Sequence, residues 1–327
     1  MDIAIVGAGI AGLACADLLQ DAGHLVRLFD KGRGPGGRMA TRRVETSHGQ
    51  VSFDHGAQYF TARSPDFCAQ VATWVDTGVA LPWPAAAEDA WVGAPAMNAI
   101  VRAMANRHDV SFGITVAGIE RAEAGWSVRH AGGKQGPFDA MVFAIPAEQT
   151  AALISLHDFP MAQVALRARS QPCWTGMFAF SEPLAAGDAP IRDVGIINWA
   201  VRNRAKPGRR GPESWVVQAQ PDWSRDWLEE PADKVSAELL AHLGKALGIE
   251  MLQPLSATAH RWRYAMSSGT GDEALWCPDK ALGACGDWLI APRVECAWLS
   301  GRALANRILG TEQASRQKAG ATIDRAE

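Results

Sequence analysis

The chain has 327 residues, of which 48% are hydrophobic and 20% charged, and its formal net charge is −3. That length supports one large or two ordinary domains with buried cores. Charge this mixed and this close to balance excludes the basic stripe of a nucleic-acid binder and the composition of a disordered chain.

Residues 2–6, DIAIV, form a short β-branched run, and LACADLLQDAG further on has the apolar spacing of a helix. Between them lies Gly7-Ala8-Gly9-Ile10-Ala11-Gly12, and LVRLFD (25–30) is a second strand ending in Asp30. Strand, GxGxxG, helix, strand and acid stand in the order a dinucleotide-binding unit requires. Gly7 permits the tight turn, Gly9 lets the main chain reach a pyrophosphate, and Gly12 lets helix and strand pack closely. The helix N-terminus adds N–H donors and the positive end of its dipole. Asp30 can accept from both hydroxyls of an adenosine ribose and disfavours a 2′-phosphate, so FAD or NAD is expected rather than NADP. The apolar N-terminus lacks the basic n-region of a signal peptide. No run of about 18 apolar residues occurs elsewhere, so no transmembrane helix and a cytoplasmic location are expected.

KGRGPGGRMATRR (31–43) crowds four glycines and four arginines into thirteen positions. Such a run cannot pack a core, but its glycines allow close main-chain approach and its arginines suit phosphate. Gly36-Gly37-Arg38 resembles the GG-R signature of the flavin-containing amine oxidase superfamily, in which the loop after the second strand folds over FAD. The resemblance implies that Gly36 and Gly37 lie against the cofactor and that Arg38 hydrogen-bonds its pyrophosphate or flavin edge. Lys31, directly after Asp30, joins these cofactor-binding candidates. FDHGAQYF (53–60) corresponds to a segment that passes beside the flavin ring in that superfamily, which makes Gln58 and Tyr59 candidates for the substrate wall. His55 reads as a structural histidine.

Residues 64–92 hold a helical stretch and the Pro/Trp-rich LPWPAAAEDAWVG, read as an excursion into another domain. PAMNAIVRAMANR (95–107) is an amphipathic helix. Residues 110–130 alternate as strands with a turn near 123–125, and 138–146 is a buried strand ended by Pro146 that returns to the cofactor domain. From about 151 to 280, CWTGMFAF, VGIINWAVRN and SWVVQAQPDW suggest antiparallel strands, and 233–248 an amphipathic helix. Seven of the chain's thirteen tryptophans fall there. Any one of them suits a core, and together they suit a platform for a flat substrate.

LGACGDW (282–288) is a strand running into Gly286-Asp287, and 294–310 begins a helix. In flavoproteins of this kind such a carboxylate binds a ribityl hydroxyl, so Gly286 and Asp287 are cofactor candidates. The set GxGxxG, GPGGRMATRR, DHGAQYFTAR, WVGAPAMNAI, VRNRAKP, HRWRYA and CGDW…RVECAWLSG resembles bacterial renalases, a branch of the amine-oxidase-like flavoproteins, over nearly the whole chain to about residue 310. The implied fold is α/β: a Rossmann-like FAD-binding domain built from discontinuous segments (1–62, 96–150 and 281–310), plus a mixed α+β substrate domain with an antiparallel sheet (63–95 and 151–280). Residues 311–327 read as a polar tail.

The implied activity is FAD-dependent oxidation of 2-dihydro and 6-dihydro isomers of NAD(P)H. Hydride goes to flavin N5, and dioxygen then accepts the electrons to give hydrogen peroxide. Such a reaction needs no protein acid or base, because its product is an aromatic cation and the flavin does the chemistry. The partners implied are a dinucleotide and dioxygen, with no nucleic acid, membrane or metal. In VRNRAKPGRR (201–210), Arg202, Asn203 and Arg204 are candidates to hold the substrate pyrophosphate, whereas Arg209 and Arg210 read as solvated. Tyr59 and Trp288 are candidates to enclose the nicotinamide ring.

A flavin amine oxidase is the alternative. That activity typically uses paired aromatic rings, often tyrosines, and a lysine near flavin N5. This chain has two tyrosines, Tyr59 and Tyr264, and seven lysines. The six cysteines, Cys15, Cys68, Cys173, Cys277, Cys285 and Cys296, show no CxxC pairing and read as inert thiols. Cys285 and Cys296 lie near the late flavin motif without the context of covalent attachment, so non-covalent FAD is expected. A flavin-binding redox sensor without turnover is a second alternative.

Overall fold

The strand Asp2–Val6 lies mid-sheet, with parallel partners Leu25–Asp30 on one side and Ala140–Phe143 on the other. Its last four residues are buried. A parallel strand covered on both faces must be apolar almost throughout, which Ile3-Ala4-Ile5-Val6 satisfies. The structure is a computed structural model that describes residues 1–249 and 252–323, with side chains through residue 314. Asp109–Phe112 extends this sheet beyond Leu25–Asp30. Leu282–Ala284 extends it on the other side, where the antiparallel Leu275–Cys277 forms the edge. This is the expected Rossmann-like α/β layer. The helix Ile10–Asp21 packs on the C-terminal helix Val294–Ile323, where a Cβ on Gly301 would overlap the Ala11 carbonyl oxygen. Among the described residues, no helix is long and apolar enough to cross a membrane.

Two compact units alternate along the chain. The first comprises 1–37, 104–169 and the part from Ser268 onward; the second comprises 38–103 and 170–267. These limits differ from the segments expected from motifs. Residues 151–169 pack in the first unit, because the helices Ala147–Ile154 and Phe159–Arg167 bury Ile154, Met161, Ala162 and Ala165 with Phe29, Met141, Phe143 and Trp288. Residues 268–280 belong there too, through the edge strand. Residues 38–62 and 96–103, by contrast, pack in the second unit. The hairpin Thr41–Thr46/Gly49–Asp54 buries Val51 and Phe53 against Met177, Ala179 and Val216 of that unit. Nor is 311–327 a separate tail: the helix from Val294 continues to Ile323, and 324–327 lie outside the described residues.

The second unit is built on a five-stranded antiparallel sheet in the order Ile191–Val194, Ile197–Arg202, Glu213–Ala219, Ser170–Phe180, Ser256–Ser267. Side chains alternate between its faces. Trp174, Phe178 and Phe180 pack with Trp215, Val217 and the helix Ala232–Leu247, which contributes Val235, Leu239 and Leu243. Met177 and Ala179 face the hairpin. Both faces are covered, which explains why CWTGMFAF is an unbroken buried run rather than an alternating one. The helix ends at Gly248, whose φ of 68° is the left-handed cap that glycine adopts without strain.

Candidate functional site

The first unit contains the dinucleotide motif in its expected form. Gly7 has φ 105°, and a Cβ there would overlap the Ala144 carbonyl oxygen, so only glycine makes this turn. A Cβ on Gly12 would overlap the Gly7 carbonyl oxygen, the close helix–strand approach the motif predicts. Gly9 caps the helix Ile10–Asp21 without a side-chain hydrogen bond, and nothing lies within 4 Å of a Cβ at that position. With no acid in the first turn, the helix presents N–H groups and positive dipole toward open space, a fit for a pyrophosphate. Asp30 accepts from Ala8 N–H at 2.8 Å and Gly32 N–H at 2.6 Å, one on each carboxylate oxygen. Each oxygen keeps a lone pair for a ribose hydroxyl. A Cβ on Gly37 would sit 3.5 Å from Gly9 Cα, so the loop from Lys31, which is exposed, through the buried Gly36 returns to the GxGxxG turn.

The same unit holds the late motif. Gly286 N–H donates to Ser300 Oγ at 2.9 Å, and the Ser300 hydroxyl donates to the Glu273 carbonyl at 2.6 Å. The buried Asp287 opens the short helix Asp287–Ile290. Trp288 departs from expectation: its ring is packed in the core and its Nε1–H donates to the Ile145 carbonyl at 3.2 Å, so it supports the fold rather than a substrate wall. Burial pushes the Cys285 thiol up to about 12 and raises that of Cys296. Protonated thiols are poor nucleophiles, consistent with a flavin held without a covalent bond.

Arg38 opens the second unit. Its carbonyl accepts from Ala57 N–H at 2.8 Å, and its guanidinium donates to the Ala265 carbonyl at 3.4 Å. Nearby, Asp54 gathers donors from four residues in three segments. One carboxylate oxygen accepts from Thr41 Oγ1 at 2.7 Å and Met97 N–H at 2.9 Å. The other accepts from Arg209 Nη2 at 2.5 Å and Nε at 3.1 Å, and from Lys206 Nζ at 3.4 Å. All three charged side chains are at most 1% exposed. Burial works against ionising Asp54, but Lys206, Arg209 and its hydrogen bonds prevail and hold its carboxyl well below the usual range. Burial, opposed by Asp54 and reinforced by Arg209, pulls Lys206 down to about 8, so it is still cationic near neutrality. Two cations against one anion leave a buried net positive charge.

Beside this cluster stands an aromatic wall. Tyr59 lies 5.4 Å from Trp199 and 6.4 Å from Trp83, and the two tryptophan rings are 6.4 Å apart. Lys206 Nζ sits 5.8 Å from the Trp83 ring centre, and the Arg192 guanidinium 4.3 Å from that of Trp199. Both indole N–H groups are buried and have no acceptor among the described residues.

The basic run divides sharply. Arg202 is committed to Glu213 at 2.9 Å, Asp188 at 2.7 Å and the carbonyls of Leu184 and Ala186, which removes it as a free phosphate anchor. Asn203 is buried and clamps the hairpin by donating to the Ser52 carbonyl at 2.8 Å. Arg204 is exposed, with no side-chain partner among the described residues. Arg209, expected to be solvated, is instead one of the best-paired cations in the chain; Arg210 is exposed. Gln58 is likewise a brace: it donates to the Asp54 and Gly56 carbonyls and accepts from Lys206 at 2.9 Å. His55 stacks on Trp262 at 5.1 Å and meets His260 edge-on at 4.9 Å. Asp54 and Lys206 lay inside the motifs DHGAQYFTAR and VRNRAKP and Trp199 among the tryptophans of the expected platform, but none was singled out as a site residue, and Trp83 and Arg192 carried no motif signal.

Residues 5–73 match the family described as NAD(P)-binding Rossmann-like domain, and residues 84–309, more than half of the chain, match that described as flavin containing amine oxidoreductase. The chain belongs to the flavin containing amine oxidoreductase family. It is therefore a flavin-dependent oxidoreductase, and its cofactor is FAD, held non-covalently. Among family relatives, an L-glutamate oxidase precursor of Streptomyces diastatochromogenes is 44% identical over 78 residues, which is 23% of this chain and 12% of that protein. Cyclohexylamine oxidase from Brevibacterium oxydans superposes with a TM-score of 0.69 at 13% identity, over 95% of this chain and 99% of that one. Putrescine oxidase with bound putrescine gives 0.69 at 14% identity, over 94% and 99%. At these identities the superpositions establish a shared fold.

Replacing Asp54 by Asn strands two buried cations. It should cost about 3–5 kcal/mol in urea unfolding, whereas Lys206→Met, which leaves the Asp54–Arg209 pair intact, should cost clearly less. Equal losses would mean the carboxylate is not the hub.

A second expectation concerns acid. Burial first, then His260 and Arg42, pull His55 down to about 4 from 6.5; burial and Arg42 do the same to His260. Folded imidazoles that resist protonation leave the unfolded chain to take up protons first. The stability this pair provides is complete above about pH 6.5 and is lost as pH falls toward about 4. Melting temperatures at about pH 7, 6 and 5 should fall in wild type and fall less steeply in His260→Gln; parallel slopes would contradict the assignment.

Proposed function

We propose that this protein oxidises dihydronicotinamide dinucleotides reduced at ring position 2 or 6, with the first unit holding FAD and the second receiving the nicotinamide ring, in the cytoplasm. The observation that carries this reading is the wall of Tyr59, Trp83 and Trp199 flanked by the cations Lys206 and Arg192. A dihydropyridine is flat and uncharged, and it gains contact from aromatic faces. Its attached phosphates gain from a positive field. An amine arrives as an ammonium ion, which Lys206 and Arg192 repel. Of the candidates Arg202, Asn203 and Arg204, Arg204 is the one that is exposed and without a side-chain partner among the described residues, and so the one available to a pyrophosphate.

Bound FAD supplies a hydride acceptor at N5 and passes two electrons to dioxygen, so that dihydro substrate, dioxygen and one proton give the aromatic pyridinium and hydrogen peroxide. The chain's own task is to present the ring and keep water out. Loss of hydride from a dihydropyridine leaves no proton for a side chain to remove. The motif set GPGGRMATRR, DHGAQYFTAR and VRNRAKP supports the same assignment.

The second reading is a flavin amine oxidase. It draws on the family description and on the shared fold with putrescine and cyclohexylamine oxidases. It places an ammonium ion beside two cations, Lys206 and Arg192.

Anaerobic stopped-flow mixing of the FAD-loaded protein with 2-dihydro and 6-dihydro NAD(P)H isomers should bleach the flavin rapidly, while monoamines, diamines and amino acids leave it oxidised. Faster bleaching by an amine than by every isomer would overturn the assignment in favour of the second reading.

A further inference from the structure

Six large apolar side chains stand exposed among the described residues, and three of them, Leu156, Phe159 and Leu166, fall on one short hairpin of the first unit. Its helices are Ala147–Ile154 and Phe159–Arg167. Leu156, in the loop between them, is 95% exposed, Phe159 61% and Leu166 56%. The second helix buries Met161, Ala162 and Ala165 in the core, so Phe159, Gln163 and Leu166, spaced i, i+4 and i+7, share its outward face. Apolar residues scattered singly over a surface need no explanation, but grouped ones mark an interaction site. The charge around them is mostly basic. Within 155–169 the exposed charges are Arg167 and Arg169, and neither has a carboxylate partner among the described residues. At the Leu156 end, the Arg121 guanidinium lies 5.3 Å from the Trp126 ring centre, and that ring meets His157 at 5.2 Å. Asp158 is buried, pairs with Lys280 at 3.2 Å and accepts from the Met161 amide at 2.9 Å. Asp279 there is exposed, and Glu148 is half-buried in the first turn of the first helix.

We propose that this hairpin seats the protein on an anionic lipid surface. Leu156, Phe159 and Leu166 enter the boundary between headgroups and acyl chains, while Arg167 and Arg169 bind headgroup phosphates. Charge complementarity selects this occupant over a second copy. A two-fold contact through this face sets the arginine pair either against its own copy or against the partner helix's N-terminus. That terminus carries the positive end of the dipole, and its one acid, Asp158, is already taken. Like charges meet in both arrangements. The apolar groups also project rather than line a recess, which suits a deformable medium. Arginine stems are long enough to lie along apolar surface with the guanidinium at phosphate level. Among the described residues no helix is long and apolar enough to cross a membrane, so the contact is with the surface alone. A long apolar run in a sequence marks a spanning segment and is blind to a seat of this kind.

The test sediments FAD-loaded protein with vesicles of phosphatidylcholine alone or with about 30% phosphatidylglycerol. Wild type should bind the anionic vesicles, bind the neutral ones at least about fivefold more weakly, and be released by high salt. The triple variant Leu156→Ser, Phe159→Ser, Leu166→Ser should lose at least about tenfold of the vesicle affinity, and the double variant Arg167→Gln, Arg169→Gln about tenfold. FAD content and melting temperature should be unchanged in both, because all five side chains are exposed. Wild type that stays in the supernatant with anionic vesicles overturns the proposal, whether or not the variants fold. Either variant binding those vesicles as tightly as wild type also overturns it. A wild-type dimer that the triple variant dissolves, without vesicle binding, overturns it in favour of a second copy. Polyglutamate binding that the same variant abolishes, without vesicle binding, overturns it in favour of an acidic protein.

Discussion

A carboxylate in the interior of a protein is expensive unless charge and hydrogen bonds replace the water it loses, and Asp54 is compensated from four directions. Thr41 and the Met97 amide take one oxygen, and Lys206 and Arg209 take the other. Those donors come from the hairpin strand opposite Asp54, the turn before the helix Ala99–Ala105 and the basic run. A single side chain thereby joins segments up to 155 positions apart. Remove its charge and each of these segments loses its reason to be where it is. The same bonds fix Lys206 beside Trp83 and, through Gln58, fix the start of the segment that carries Tyr59. The electrostatic character of the wall follows from the stoichiometry: two cations, one anion and no solvent to screen them.

The first unit depends on a different constraint, the absence of side chains. Main-chain atoms stand where Cβ atoms on Gly7, Gly12 and Gly301 would be, and the open space at Gly9 is where a phosphate fits. Shape there is set by sterics at the backbone, and the only charge the motif needs is Asp30, which also ties the turn to the loop after it.

This contrast explains what was legible in advance. The dinucleotide motif was readable because all of its parts fall within the first 37 residues and each glycine has a local steric role. The strands 2–6 and 25–30, the turn near 123–125 and the antiparallel run around CWTGMFAF followed from periodicity and turn chemistry for the same reason. The Asp54 cluster was not readable, since no spacing rule pairs residue 54 with residue 209. VRNRAKPGRR looked like one basic loop, yet it delivers a half-buried ion-pair network at Arg202, a buried clamp at Asn203, an exposed Arg204 and two core cations at Lys206 and Arg209. Composition cannot sort those fates; only the acceptors facing each side chain can. Trp288 was misjudged for a similar reason: proximity to a cofactor motif in sequence says nothing about which way an indole packs.

The account's central claim is that the positively flanked wall of Tyr59, Trp83 and Trp199 receives a nicotinamide ring. The most direct measurement is a crystal structure of the FAD-loaded protein with NAD+ bound. The account predicts the nicotinamide ring beside Tyr59, Trp83 and Trp199. A nicotinamide ring lying away from that wall, or a diamine occupying it in a parallel soak while NAD+ does not, would contradict the claim.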